Sequence, residues 1–262
     1  MEDIIGYILA ILVGTSLGLV GSGGSILTVP ILVYVFHIEP ILATTYSLFI
    51  VGITALIGGI RNFQQKNVDI KTVVLFGISS VVSVILVREF LLPTIPDPIF
   101  QFHGFVLSKS TFILVLFAFL MVAASCSMIK PYTKSTNVSP NKTNLFILGI
   151  VIGSVTGILG AGGGFLIIPA FILFANLDMK KAVGTSLIII ALNALIGFLG
   201  SLDSFQSSDF RFLAVFSSMS ILGMILGIYL SKRIDGSKLK IGFGWLILVV
   251  GAYIIVKELF LK

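Results

Sequence analysis

Five stretches of this sequence, 41–60, 72–92, 111–129, 182–200 and 212–230, stay apolar for about 20 residues, and 241–256 nearly does. As a helix, a run of that length spans a hydrocarbon core of about 30 Å. Lipid offers the backbone no hydrogen-bond partners, so segments of this kind specify an all-α integral membrane protein. Composition agrees: 57% of the residues are apolar and 11% charged, against about 25% charged in a soluble domain. A soluble enzyme, a disordered chain and a disulfide-stapled secreted domain are excluded. The single cysteine, Cys126, has no partner for an internal disulfide. The net charge of +6 is carried by loops between apolar runs, which points to membrane topology rather than to nucleic acid. The lipid bilayer is the expected partner. The acidic start, Glu2-Asp3, is unlike the basic beginning of a secretory signal, so the first apolar run is expected in the mature protein.

Four further apolar runs, 4–20, 25–36, 145–159 and 164–175, are too short to span alone. They form two pairs, each interrupted by glycines: Gly21-Ser22-Gly23-Gly24 in the first and Gly160-Ala161-Gly162-Gly163-Gly164 in the second. The pairs are copies. At an offset of 139, Gly14, Gly18, Gly21, Gly23, Gly24, Leu27 and Pro30 meet Gly153, Gly157, Gly160, Gly162, Gly163, Leu166 and Pro169. The register continues without a gap to Gly58 and Gly197. This marks an internal duplication.

If each broken pair crosses once, the halves are parallel and basic residues divide evenly between the two sides. If each pair is a hairpin, the halves are inverted, with twelve basic residues on one side and five on the other. Only the second arrangement meets the positive-inside rule. The expected domains are a first repeat, 1–129, with hairpin 4–36 and spans 41–60, 72–92 and 111–129. A polar cytoplasmic linker, 130–144, follows. The second repeat, 145–262, has hairpin 145–175 and spans 182–200, 212–230 and 241–256. Both termini are expected outside. The Pro- and Phe-rich loop 93–109 is expected to be extended, with its rings at the membrane interface.

Glycine-broken backbone at membrane depth must be buried in protein or line a polar cavity. The helix after each break begins at Ser25 and at Gly164 or Phe165, with free N–H groups and the positive end of its dipole. Two such ends meeting near the midplane would hold a small anion without a fixed cation. Candidate substrate-binding residues are therefore Gly21, Ser22, Gly23, Gly24, Ser25, Gly160, Gly162, Gly163 and Gly164. The competing use of such glycines is close helix packing, the reading preferred for Gly14-x-x-x-Gly18 and Gly153-x-x-x-Gly157. Hydroxyls at the start of the next span, Tyr46 and Ser47 with Thr185 and Ser186, join the candidates, though bonds to their own helix carbonyls compete. Asn193, deep in a span, is the last candidate, with an interhelical hydrogen bond as its alternative.

No carboxylate lies at mid-span, where proton relays sit. If transport is coupled to protons, Glu39 and Asp178 beside the hairpins are the first suspects, against capping of the following helix. Glu89 beside Arg88 reads as a local ion pair. No metal-ligand cluster, catalytic triad or nucleotide-phosphate loop is present, so neither cofactor nor enzyme activity is implied.

The segments GLVGSGGSILTVPILVYVF…ATTYSL and GILGAGGGFLIIPAFILF…AVGTSLI together resemble the TauE/SafE family of sulfite exporter-like membrane proteins. The resemblance covers both halves. It implies an inner-membrane carrier that exports a small sulfur-containing or organic anion. The family's glycine-rich element falls on Gly21, Gly23 and Gly24 and on Gly160, Gly162, Gly163 and Gly164. Its Thr-Ser pair falls on Thr185 and Ser186. In the first half Tyr46 replaces the threonine, and Ser25 stands where a further glycine is common. The expected function is a secondary transporter for sulfite, an organosulfonate or a related anion, working by alternating access. An anion channel and a non-transporting membrane scaffold are the rival readings.

Overall fold

The computed structural model describes residues 2–21, 24–102, 105–129, 142–160, 162–201, 210–231 and 236–260. Eleven helices carry most of these residues: α1 (Glu2–Val20), α2 (Ser25–Tyr34), α3 (Pro40–Gln64), α4 (Ile70–Leu86), α5 (Leu92–Thr94), α6 (Lys109–Ile129), α7 (Lys142–Leu159), α8 (Gly164–Phe174), α9 (Met179–Leu199), α10 (Phe210–Leu230) and α11 (Gly236–Phe260). A π-helical turn, Val87–Leu91, joins α4 to α5, so the span runs unbroken over Ile70–Thr94.

Six helices among the described residues are long and apolar enough to cross a membrane, which makes this a multi-pass membrane protein. One of them, Lys142–Leu159, corrects the sequence reading that run 145–159 is too short. The polar residues Lys142, Thr143 and Asn144 extend the helix instead of ending the linker, and 18 residues rise about 27 Å. The short arms are α2 and α8, of 10 and 11 residues. The loop after α5 is extended over its middle, as expected. It forms an antiparallel pair of strands, β1 (Phe100–Phe102) and β2 (Phe105–Leu107).

The first glycine-broken pair folds back on itself. Gly6 of α1 meets the ring of Phe36 beyond α2, while Gly24 meets Val13 and Leu17. Packing repeats in pairs: between the halves α1 lies on α10 as α7 lies on α4, and within each half α2 lies on α3 as α8 lies on α9. α3 packs on its own repeat counterpart α9. Gly52 lies beside Leu195 and Gly59 beside Ile188, so these two helices run antiparallel. α6 and α11 are also antiparallel, with Gly244 against Met128 and Gly251 against Met121.

Apolar lipid provides little hydrophobic drive between helices, so close backbone approach has to supply the contact. Gly14, Gly18, Gly223 and Gly227 let α1 and α10 touch backbone to backbone, and Gly149 and Gly153 do the same for α7 on α4. Large apolar side chains left exposed, including Ile78, Val82, Leu222 and Val249, face outward, where lipid would cover them.

Candidate functional site

The two glycine breaks sit at equivalent places, each against the opposite half. Gly21 packs on the Val183 side chain and Gly160 on Thr44. Positions 44 and 183 are themselves 139 apart. Each break therefore leans on the first turns of α3 or α9 from the other repeat. Gly162 lies deeper, between Val51 and Ile190, another repeat-related pair. Gly160, Gly162 and Gly163 hold φ of 67°, 66° and 65°, a left-handed backbone that costs other residues about 1–2 kcal/mol. Ser22 and Gly23 lie outside the described residues.

The helices that leave the breaks start uncapped. Gly24 precedes α2 and Gly163 precedes α8, and neither start has a side-chain cap. By contrast, Glu39, Asp69 and Asp178 cap α3, α4 and α9 through their carboxylates. Glu39 accepts from Leu42 N–H at 3.1 Å and Asp178 from Lys181 N–H at 3.4 Å, which is the capping role. The positive ends of the α2 and α8 dipoles thus lie at the breaks without a capping carboxylate among the described residues. Buried Ser25 and Gly164 are the first residues of these two helices.

The predicted polar residues divide. Thr44, Ser47 and Val51 follow helical spacing along one face of α3, and Gly160 and Gly162 touch the two ends of that row. Ser47 thus lies between them, fully buried, its hydroxyl without a hydrogen-bond partner. On α9, Ser186 occupies the equivalent face but donates to the Val183 carbonyl at 2.8 Å. Thr185 turns away and accepts from the Asp69 N–H at 2.9 Å. Tyr46 packs its ring against Phe212. Asn193 accepts from Ser80 of α4 at 2.7 Å, the interhelical bond that was its alternative reading, while its Nδ2 has no partner.

Arg88 departs most from the sequence reading. It forms no ion pair with Glu89 among the described residues: Glu89 is exposed, while Arg88 is 3% exposed. A π-helical turn begins at Val87, and Arg88 continues the buried face that Phe76, Ser80 and Val84 mark at helical spacing. Its Nη2 donates to Thr44 Oγ1 at 3.1 Å, and its Nη1 donates to Thr45 Oγ1 at 3.4 Å and Ser201 Oγ at 3.3 Å. Its Nε is buried with no partner. A buried charge left without a counter-charge costs several kcal/mol. One sequence signal marks this residue, an arginine inside an apolar run, and the packing adds a second, an apolar repeat counterpart. Met224 stands to Gly18 as Val84 stands to Gly157, which sets Ile228 opposite Arg88.

At the end holding Arg61, Lys66 and Lys180, a cavity of about 550 Å³ opens beside the first break, lined by residues including Gly18, Asn62, Asn67, Val183 and Ile228. At the opposite end, Glu258 is buried and accepts from Tyr34 Oη at 3.1 Å, with Lys257 Nζ 4.3 Å from the Tyr34 ring centre. This set ties the end of α2 to α11.

The family model for sulfite exporter TauE/SafE matches residues 7–254. The chain belongs to the sulfite exporter TauE/SafE family. It is 28% identical over 253 residues to a probable membrane transporter protein of Xylella fastidiosa strain 9a5c, covering 93% of this chain and 91% of that one. It is 27% identical over 259 residues to the probable membrane transporter YjnA of Bacillus subtilis, covering 95% and 98%. The probable membrane transporter MJ0441 of Methanocaldococcus jannaschii is 27% identical over 270 residues, with 94% of each chain covered. No solved structure matches the chain. Of the residues matched to the TauE/SafE pattern, the described glycines sit at the breaks, whereas Thr185 and Ser186 spend their hydroxyls on bonds within the protein.

Proposed function

We propose that this chain is a secondary transporter that exports a small sulfur-containing anion, sulfite or an organosulfonate, across the cytoplasmic membrane. The observation that carries the reading is the pair of uncapped helix starts, α2 and α8, each following a glycine break within the bundle. Dipole and N–H groups there favour an anion over a cation or a neutral solute. The substrate class comes from the family description. Gly21, Gly24, Ser25, Ser47, Gly160, Gly162, Gly163 and Gly164 are the described residues we assign to binding. Ser22 and Gly23 are assigned by repeat symmetry. Tyr46, Thr185, Ser186 and Asn193 support the surrounding helices.

The two repeats are inverted in this reading, supported by the antiparallel course of the repeat counterparts α3 and α9. The end holding Arg61, Lys66, Lys180 and the cavity faces the cytoplasm, because that end carries the excess of basic residues. Rocking of one repeat against the other then exposes the site to each side in turn. The role is binding and passage, without bond-breaking chemistry. No carboxylate lies on the row of residues facing the breaks, so any proton coupling runs through the substrate or through acids at the span ends.

Purified protein in proteoliposomes tests this. Saturable sulfite or sulfoacetate flux with counterflow of labelled substrate is expected, lost in Gly162→Val protein that still folds. Non-saturable flux without counterflow would mark a channel. No flux of any sulfur anion, measured by label as well as by current, would leave a scaffold.

A further inference from the structure

We infer that Arg88 is an anion-binding residue of this transporter: its guanidinium, beside the second glycine break, grips two oxygens of the sulfur oxyanion. The inference rests on the transport reading above and replaces the expectation of a site built on dipoles alone. Arg88 and the break share one neighbour. Gly160 packs on Thr44, and Thr44 Oγ1 receives the Arg88 Nη2 bond at 3.1 Å. The charge and the left-handed glycine backbone therefore border the same turn of α3.

The bonds Arg88 makes do not neutralise it. Thr44, Thr45 and Ser201 offer neutral hydroxyl oxygens, and no carboxylate pairs with it among the described residues. Three of its five N–H donors are used. Nε–H is among those left, and Nε and Nη2 form the side of the guanidinium that meets two oxygens of one oxyanion. The three hydroxyls fix the fork from behind, holding a side chain that would otherwise have several rotamers. The fold itself does not ask for an arginine here. Across the pseudo-twofold relation, Ile228, Val183 and Gly184 occupy the places of Arg88, Thr44 and Thr45, and the helices pack equivalently. Arg88 lies within a π-helical turn, a feature often found at functional sites.

The alternative is a clamp that ties α4 to α3 and α9, and kinetics separate the two. The full chain in proteoliposomes, carrying Arg88→Lys or Arg88→Gln, is assayed with sulfite and sulfoacetate, and its melting temperature is followed with and without sulfite. Lysine keeps the charge and loses the fork, so Arg88→Lys raises KM by about tenfold with little change in melting temperature. Arg88→Gln abolishes flux, and sulfite no longer raises its melting temperature. If Arg88→Gln does not fold, Arg88→Lys decides. In wild-type protein, sulfite but not gluconate slows phenylglyoxal labelling of Arg88. A KM within twofold of wild type in Arg88→Lys, with a lowered melting temperature, would show a clamp and overturn the assignment while leaving transport intact. Wild-type protein that moves no sulfur oxyanion would overturn both.

Discussion

Single glycines do two separable jobs in this chain. Gly14 and Gly153 have no room for a side chain, because a Cβ would overlap the backbone carbonyls of Ser220 and Ser80. Gly14→Val is therefore expected to cost at least the 1–3 kcal/mol typical of overpacking. The cost is read as a lower melting temperature in detergent. Gly242 has nothing within 4 Å of a Cβ, so Gly242→Ala should leave stability within about 0.5 kcal/mol of wild type. Asn193 contributes through one bond. Removing it leaves Ser80 without its partner, and interhelical bonds of this kind average about 0.6 kcal/mol with a maximum near 1.7. A double-mutant cycle of Ser80→Ala and Asn193→Ala should return a coupling in that range. Additive single effects would show that the bond contributes nothing.

At the scale of elements, the duplication was the most informative feature of the sequence. It implied that whatever touches one break has a counterpart at the other, as the contacts of Gly21 with Val183 and Gly160 with Thr44 bear out. Helix ends were read less well. α7 begins at Lys142 because polar residues at a membrane surface are as compatible with helix as with linker. The inward turn of Arg88 was hidden for a different reason. Hydropathy ranks an arginine near a span end as exposed, although the spacing Phe76, Ser80, Val84, Arg88 sets it on the buried face of its helix. The bond that Thr185 accepts from the Asp69 N–H was not legible, because a hydroxyl facing an anion and one accepting from a backbone N–H look alike in sequence. The relative direction of the repeats can be tested directly. Gly59 sits beside Ile188, so cysteines placed at 59 and 188 in a Cys126→Ser chain should form a disulfide. After cleavage at a protease site inserted in the linker, the halves should stay joined until reduced. Halves that separate without reductant would contradict antiparallel packing of α3 on α9.

On the scale of the whole molecule, one end is open where its counterpart is filled. The cavity beside the first break is lined by Val183 and Ile228, while the repeat-related positions at the other end, Thr44 and Arg88, are buried against each other. In the alternating-access reading proposed above, this inequality is that of a carrier resting in one of two mirror states. In the other state the hydroxyl and guanidinium end would open and the Val183 end would close. An anion bound more tightly by one state can shift this balance only by its differential affinity. Val183→Cys in a Cys126→Ser chain should thus react readily with a membrane-impermeant thiol reagent from the side of the basic loops, and Thr44→Cys should be inert. Addition of sulfite to the side facing Val183 should slow the first reaction and start the second from the opposite face. Movement of the two rates in the same direction, or no change in either at saturating sulfite, would rule out reciprocal access and leave a fixed pore along the same path.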